Sequence, residues 1–242
     1  MSKPYQCQAE NPATCRFHGV KGVQTRIDAL FNKSNEEVFT ENYLRAYSDW
    51  NNTSSYGKEV ANFKDKLEDK HTKAVFSYVH EAFKFVNFIL SKEENFDRFN
   101  DYEQDIVDGL DDMFDKFGEK EPNPEKLYRG LRFKQATEQF QNIKAGKKIE
   151  LKSFTSTSSN PFTASRFTEH EAPVILEFDK PKRGLPISFK GNPHSTEEEY
   201  LLPRNAQYKV IKVRKKVTWK FPNTSLSNTT RKNMTIITLQ EI

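Results

Sequence analysis

Residues 118–133 read "GEKEPNPEKLYRGLRF", and the reading of the whole fold turns on what changes across them. Gly118, Pro122 and Pro124 punctuate the chain, because glycine loosens the backbone and proline removes an N–H and clashes with the preceding turn. Upstream, apolar residues recur at three-to-four spacing in "VQTRIDALFNK" (23–33), "NEEVFTENYLRAYSDW" (35–50) and "HTKAVFSYVHEAFKFVNFILSK" (71–92), which is the period of amphipathic helices. Phe76, Val79, Phe83, Val86 and Leu90 then share one face, a stripe suited to a core. Downstream the period shortens. The segments "KLYRGLRF", "KKIELKSFTSTS", "APVILEF", "LPISF", "EYLLP", "YKVIKVRKKVTW" and "MTIITLQEI" are rich in β-branched and aromatic residues and separated by turn formers, so they read as strands.

A helical front and a strand-rich back define an α+β fold, with helices packed on antiparallel-dominated sheets. The chain divides into an N-terminal arm, 1–22, of unassigned role and a single domain, 23–242, whose helical part ends at 118 and whose β-rich part begins at 119. A chain of 242 residues is long enough to bury one sizeable core. The hydrophobic share is only 35%, but 20 Phe, 9 Tyr and 2 Trp supply it with large side chains.

The net charge of +4 is too mild to point to nucleic acid by itself. Arg204, Lys209, Lys212, Arg214, Lys215, Lys216 and Lys220 crowd one stretch, but they are interleaved with Val210, Ile211, Val213, Val217 and Trp219 as in an amphipathic strand. Asp101, Glu103, Asp105, Asp108, Asp111, Asp112 and Asp115 read as a solvated face. No run approaches the roughly 20 apolar residues of a membrane span, and "MSKPYQCQAE" lacks the apolar core of a secretory signal. The expected compartment is a cytoplasm, that of the producer or of a cell into which the protein is delivered. Cys7, Cys15 and His18 are ligand types that zinc accepts, but a fourth ligand is not evident and the cysteine spacing is wider than CxxC. Reduced thiols in the arm are the expectation, and no metal.

Three stretches place polar groups where a strand pattern calls for burial. Arg129 in "LYRGLRF" points opposite to Tyr128, and Gly130 beside it lets a backbone or ligand approach closely. An edge-strand arginine has the same look. In "SFTSTSSNPF", Ser156 and Ser158 share a face with Phe154, so at least one hydroxyl enters the interior and needs a partner; a Ser/Thr-rich edge strand is the alternative. In "STEEEYLLPR" (195–204), a strand entered at Glu197 puts Glu197 and Glu199 on one face, roughly 6–7 Å apart, with Glu198 pointing away. Two such carboxylates can hold different roles. A plain acidic loop tip is the alternative.

In this order and spacing, "YRG", "FTSTS" and "EEEYLLP" resemble the mono-ADP-ribosyltransferases of the arginine, Ser-Thr-Ser, Glu-x-Glu type. That family includes clostridial binary toxins, arginine-specific vertebrate ecto-enzymes and phage enzymes. The resemblance spans residues 127 to 203. It implies a split β core and NAD as the substrate, with no metal required. The catalytic set it implies is Arg129, Ser156, Glu197 and Glu199. The NAD-contacting set is Arg129, Gly130, Ser156, Thr157, Ser158, Phe162, Phe167 and Glu199.

By analogy, Arg129 holds the phosphates, Ser156 fixes the catalytic carboxylate, and Glu199 binds the ribose 2′-hydroxyl and stabilises positive charge as the glycosidic bond opens. Glu197 faces the acceptor. Glutamate there goes with arginine as acceptor in this family, so the implied partner is a protein with an exposed arginine; a nucleic-acid acceptor stays open. Phe167 is the first choice for stacking on nicotinamide and Phe162 the second, against a reading of Phe167 as core. Residues 188–196, "SFKGNPHST", are the turn loop that presents the target, with Gly191 and Pro193 suiting the turn and His194 given no role. Two alternatives remain: an NAD glycohydrolase with water as acceptor, and a non-enzymatic basic nucleic-acid-binding protein.

Overall fold

The computed structural model describes residues 36–38, 55–92, 99–121, 123–132, 139–140, 142–168, 173–189, 197–221 and 229–242, and the statements below concern these. The metal-ligand candidates Cys7, Cys15 and His18, the helix expected at 23–33 and most of the target-presenting loop, 190–196, lie outside them.

Nine strands form one sheet: β1 (Glu36–Val38), β2 (Lys126–Leu131), β3 (Lys148–Leu151), β4 (Thr155–Ser158), β5 (Val174–Asp179), β6 (Leu185–Pro186), β7 (Glu199–Leu202), β8 (Ala206–Phe221) and β9 (Thr229–Glu241). Their order is β1-β8-β9-β5-β2-β4-β7-β6, with β3 pairing β8 off this path. Only β1 with β8 and β5 with β9 run parallel. The helices are α1 (Ser55–Lys64), α2 (Asp69–Ser77), α3 (Phe83–Leu90), α4 (Asp101–Phe117) and α5 (Pro161–Arg166). The α+β, antiparallel-dominated expectation therefore holds, and the break at 118–125 falls between α4 and β2.

Three local expectations need correction. Glu36–Val38, expected within a helix, is a strand against Thr218–Lys220. The ladder of β3 on β8 stops at Lys209, so the outer edge of β8 beyond it offers N–H and C=O groups that an extended segment satisfies; this outweighs a weak local period. The apolar stripe of 71–92 is not one regular helix, because a π-helical turn, Tyr78–Ala82, joins α2 to α3. "LPISF" contributes only two residues to the ladder, since Pro186 has no N–H to donate.

The helical layer packs on one face of the sheet. Phe154, fully buried just before β4, stacks on Phe114 of α4 at 6.0 Å and meets Tyr78 edge-on at 5.9 Å. Full burial of such a side chain contributes about 2–3 kcal/mol, which is why the interruption at 152–154 is kept. A second cluster on the other face joins Tyr128, Ile175, Trp219, Phe221, Met234 and Ile236 under Ala164 of α5. Leu127 and Leu131 of β2 belong to the first cluster and Tyr128 to the second, so alternation along β2 sends Arg129 toward the helices. No helix among the described residues is long and apolar enough to cross a membrane.

Helices α2 and α4 are joined through His71, which is fully buried. Its Nδ1 accepts from the Glu68 N–H at 3.2 Å, so Nε2 carries the proton and donates to Asp112 Oδ2 at 2.6 Å. Lys70 and Lys116 also reach Asp112, at 2.7 and 3.1 Å. Lys70 first, then His71 and Lys116, hold the Asp112 carboxyl well below the usual carboxylate range. A pKa lower in the folded than in the unfolded chain stabilises above the unfolded value, about 3.9, and that contribution is lost as pH falls below it. We expect Asp112→Asn to lower the urea midpoint at pH 7 and to flatten its decline between pH 7 and pH 3. Parallel midpoint profiles for variant and wild type would refute this account.

Candidate active site

The sheet opens between β2 and β4. Strand β2 pairs with β5 over six residues but with β4 at a single pair, Tyr128 with Ser158. Arg129 bridges the opening, donating from Nη1 to the Ser156 carbonyl at 2.9 Å. A cleft of about 300 Å³ lies there, at the lower end of the range for ligand pockets. It is lined by Arg129, Gly130 and Arg132 from β2 and its end, Ser156–Ser158 of β4, Thr163, Ala164 and Phe167 from α5 and its end, and Glu197 and Glu199. Residues 129, 156 and 199, far apart in sequence, share one cavity.

Burial pulls the Arg129 pKa down, while Tyr78 and the carboxylate of Glu199 oppose that shift. Glycine at 130 is dictated by space, because a Cβ there would lie 2.2 Å from the Ala164 carbonyl oxygen and 2.9 Å from the Phe167 carbonyl carbon. Asn160 caps α5, its Oδ1 accepting from the N–H groups of Phe162 and Thr163. Not every hydroxyl of the Ser-Thr-Ser strand is available to a ligand. Thr157 Oγ1 donates to the Tyr200 carbonyl at 2.7 Å and Ser158 Oγ to the Glu197 carbonyl at 2.6 Å. Phe162 is not among the cleft residues; its ring packs edge-on to Phe221 at 5.1 Å.

The acidic segment departs from the expected geometry. The strand begins at Glu199, not Glu197, and Glu198 sits in the left-handed region at φ 48°. Glu197 and Glu199 still both line the cleft, because the bend at Glu198 takes the place of strand alternation. Glu199 is buried and held through its backbone. Its N–H donates to Ser188 Oγ at 2.8 Å, and its carbonyl accepts from Tyr56 Oη at 2.7 Å and from the Ile187 N–H at 3.0 Å. Helix α1 thus seats β7, assisted by Tyr200 Oη donating to Glu59 Oε1 at 2.9 Å.

Sequence reasoning missed the contribution of the helical layer. Tyr78, Val79, Phe83, Lys84 and Asn87 close the cleft from above β2 and β4. Asn87 Nδ2 donates to Tyr78 Oη at 2.8 Å, which leaves Asn87 Oδ1 buried without a partner; Thr163 Oγ1 is likewise unpartnered. Buried polar atoms of this kind are costly unless something satisfies them, so both suit a polar ligand. Burial raises the Tyr78 pKa, with Glu199 adding to the effect and Asn87, Arg129 and Ser156 opposing it. The signal in the sequence was an asparagine and a tyrosine on the inner face of an otherwise apolar stripe. Among the described residues, no group of three or more His, Cys, Asp or Glu side chains is placed to hold a metal ion.

A mixed sheet opened at one strand pair, with an arginine, a Ser-Thr-Ser strand and two carboxylates around the opening, is the architecture of the mono-ADP-ribosyltransferase toxins. The chain belongs to the ADP-ribosyltransferase exoenzyme family, whose model matches residues 49–240. These transferases use NAD as substrate without a metal. Comparison with curated proteins by sequence returned no match. Among solved structures, the fold is similar to the ADP-ribosyltransferase Vis of Vibrio splendidus, in complex with an inhibitor, at 18% identity and a TM-score of 0.58, covering 89% of this chain and 90% of that one. It is also similar to the enzymatic component C2-I of the Clostridium botulinum C2 toxin, at 20% identity and a TM-score of 0.55, covering 79% of this chain and 47% of that one. Exoenzyme S of Pseudomonas aeruginosa, bound to carba-NAD, gives 17% identity and a TM-score of 0.54, covering 83% of this chain and 88% of that one.

Proposed function

We propose that the protein transfers ADP-ribose from NAD to the guanidinium of an arginine on a target protein, releasing nicotinamide. The observation that carries this reading is the meeting of three cations, Lys84, Arg129 and Arg132, with two carboxylates, Glu197 and Glu199, in one cleft. NAD matches that set, having an anionic pyrophosphate and a cationic nicotinamide ribosyl group. Exoenzyme S was captured with carba-NAD. Vis was crystallised with agmatine, a small molecule ending in a guanidinium.

In this reading Arg129 holds the phosphates, Phe167 covers the nicotinamide ring, and the Ser156 hydroxyl orients the Glu199 carboxylate. The bond between ribose C1′ and the nicotinamide nitrogen breaks, its electron pair leaving with nicotinamide. Positive charge grows on the ribose, and Glu199 stabilises it more in the transition state than in the ground state. A guanidinium nitrogen then bonds to C1′ and loses a proton. The guanidinium, protonated at any ordinary pH, needs a base, and in this reading Glu197 serves as that base. A single domain, 23–242, carries the activity, with 1–22 as an arm, and the site of action is a cytoplasm.

The test is Glu197→Gln. We expect it to suppress transfer from NAD to agmatine or protein arginine by about 100-fold, as for loss of a general base, while acceptor-free nicotinamide release persists. Mass spectrometry of the modified residue checks the acceptor. Equal loss of both activities would remove Glu197 from the acceptor side, and hydrolysis without any transfer would make the protein an NAD glycohydrolase.

A further inference from the structure

Glu198 lies between the two cleft carboxylates and is absent from the cleft lining. Its φ of 48° is a region that L-residues other than asparagine, aspartate and histidine seldom adopt. Such a conformation persists only where its surroundings impose it. The end of β4 supplies that constraint. The Ser159 N–H donates to the Glu198 carbonyl at 3.2 Å, and Ser159 Oγ donates to Glu198 Oε2 at 2.8 Å. One residue earlier, Ser158 Oγ donates to the Glu197 carbonyl at 2.6 Å while accepting from the Asn160 N–H at 3.0 Å. One relay therefore runs from the N-terminus of α5 through Ser158 to the Glu197 carbonyl, and a second, from Ser159, holds the Glu198 carbonyl and side chain, so that both peptide units flanking Glu198 are fixed.

The direction of the Glu198 side chain is the consequence that matters. Drawn to Ser159, it is held out of the cleft, and the left-handed bend leaves Glu197 on the cleft side of the chain beside Glu199. Glu199 does not depend on the Ser159 and Glu198 side chains, because its backbone stands opposite Ser158 in the β4–β7 ladder and is further fixed by Ser188, Tyr56 and Ile187. The two carboxylates are thus held by separate devices, and one can be loosened without the other.

We propose that Ser159 and Glu198 form a latch that positions Glu197, and so sets what fraction of cleaved NAD ends on a guanidinium and what fraction on water. The latch rests on the reading of the cleft as an NAD-cleaving site with Glu197 toward the acceptor. Ser159 and Glu198 are positioning residues, acting through Glu197. In transfer, the guanidinium nitrogen bonds to C1′ and its proton goes to Glu197. In hydrolysis, water oxygen bonds to C1′ and releases its proton, with nicotinamide leaving in both cases. Only the first path needs Glu197 in register.

The experiment compares Ser159→Ala, Glu198→Ala and Glu198→Gln in the full chain, measuring ADP-ribosyl-agmatine formation and acceptor-free nicotinamide release from NAD. Ser159→Ala and Glu198→Ala should lower kcat for transfer by about tenfold, below the hundredfold that a 1 Å misplacement can cost. Hydrolysis and the KM for NAD should stay near wild type. Glu198→Gln, whose amide oxygen still accepts from Ser159, should keep the wild-type ratio of transfer to hydrolysis. Ser159→Thr, which retains the hydroxyl, serves where the alanine variant fails to fold. An unchanged ratio in both alanine variants, or equal loss of both activities, overturns the latch alone. Failure of the wild-type chain to cleave NAD overturns the reading of the cleft and the latch with it.

Discussion

Glu199→Gln is expected to lower ADP-ribosyl transfer from NAD by about 100-fold or more, the usual cost of removing one preorganised electrostatic contact to a transition state. The substitution is nearly isosteric, and the groups that hold β7 at this point are main-chain ones, engaged with Ser188, Tyr56 and Ile187. The fold and its melting temperature should therefore be nearly unchanged. What disappears, on the proposed reading, is the negative charge facing the ribose. Because that charge acts mainly after the glycosidic bond begins to open, the loss should appear in kcat and not in the KM for NAD. Hydrolysis and transfer should fall together, in contrast to Glu197→Gln, since both paths cross the same oxocarbenium-like state. Steady-state kinetics with NAD and agmatine, beside a thermal melt, decide the matter. Wild-type kcat in a folded Glu199→Gln variant would dismiss Glu199 as the group that stabilises the ribosyl cation.

The parts of the molecule legible in the sequence are those whose burial pattern is local. Strands β2, β5, β7, β8 and β9 announce themselves because alternate or continuous apolar residues must face a core within a few residues of each other. The same logic placed Arg129 opposite Tyr128, and the structure puts Tyr128 in the second core cluster and Arg129 in the cleft. Long-range choices were not legible. Strand β1 exists because β8 has an open edge around residue 219, a fact about a partner 182 positions away, from Glu37 to Trp219. The π-helical turn at 78–82 leaves the apolar stripe recognisable while turning Tyr78, Phe83 and Asn87 onto the cleft. A period count cannot separate that from an ordinary helix. The bend at Glu198 was hidden for another reason. Glutamate is a poor advertisement for a left-handed residue, and only the hydrogen bonds from Ser159 reveal why one is tolerated there.

Gly130→Ala is expected to be the most damaging single-methyl change near the cleft. Its new Cβ would meet the Ala164 carbonyl oxygen at 2.2 Å and the Phe167 carbonyl oxygen at 3.1 Å, and neither is a flexible side chain that can swing aside. Either β2 or α5 must shift by about 1 Å to restore contact distance. Helix α5 is fixed at its other end by the Asn160 cap, and β2 is fixed along six pairs with β5, so the strain is not easily relieved. Overpacking of this kind costs about 1–3 kcal/mol, which for a domain of this size lowers the melting temperature by about 2–12 °C. The functional loss should exceed the stability loss, because Arg129 adjoins the clash on one side and Ala164 and Phe167 border the cleft on the other. A misplacement of 1 Å can cost about 100-fold in rate, so kcat/KM for NAD should fall by about that factor in protein that is still folded at 20 °C. Gly146→Ala is the matching control. Gly146 has no atom within 4 Å of its virtual Cβ but a φ of 88°, so alanine there should lower the melting temperature through backbone strain and leave the KM for NAD untouched. Wild-type stability and NAD kinetics in Gly130→Ala would mean that α5 rides loosely on β2, and that the cleft is not built on their close approach.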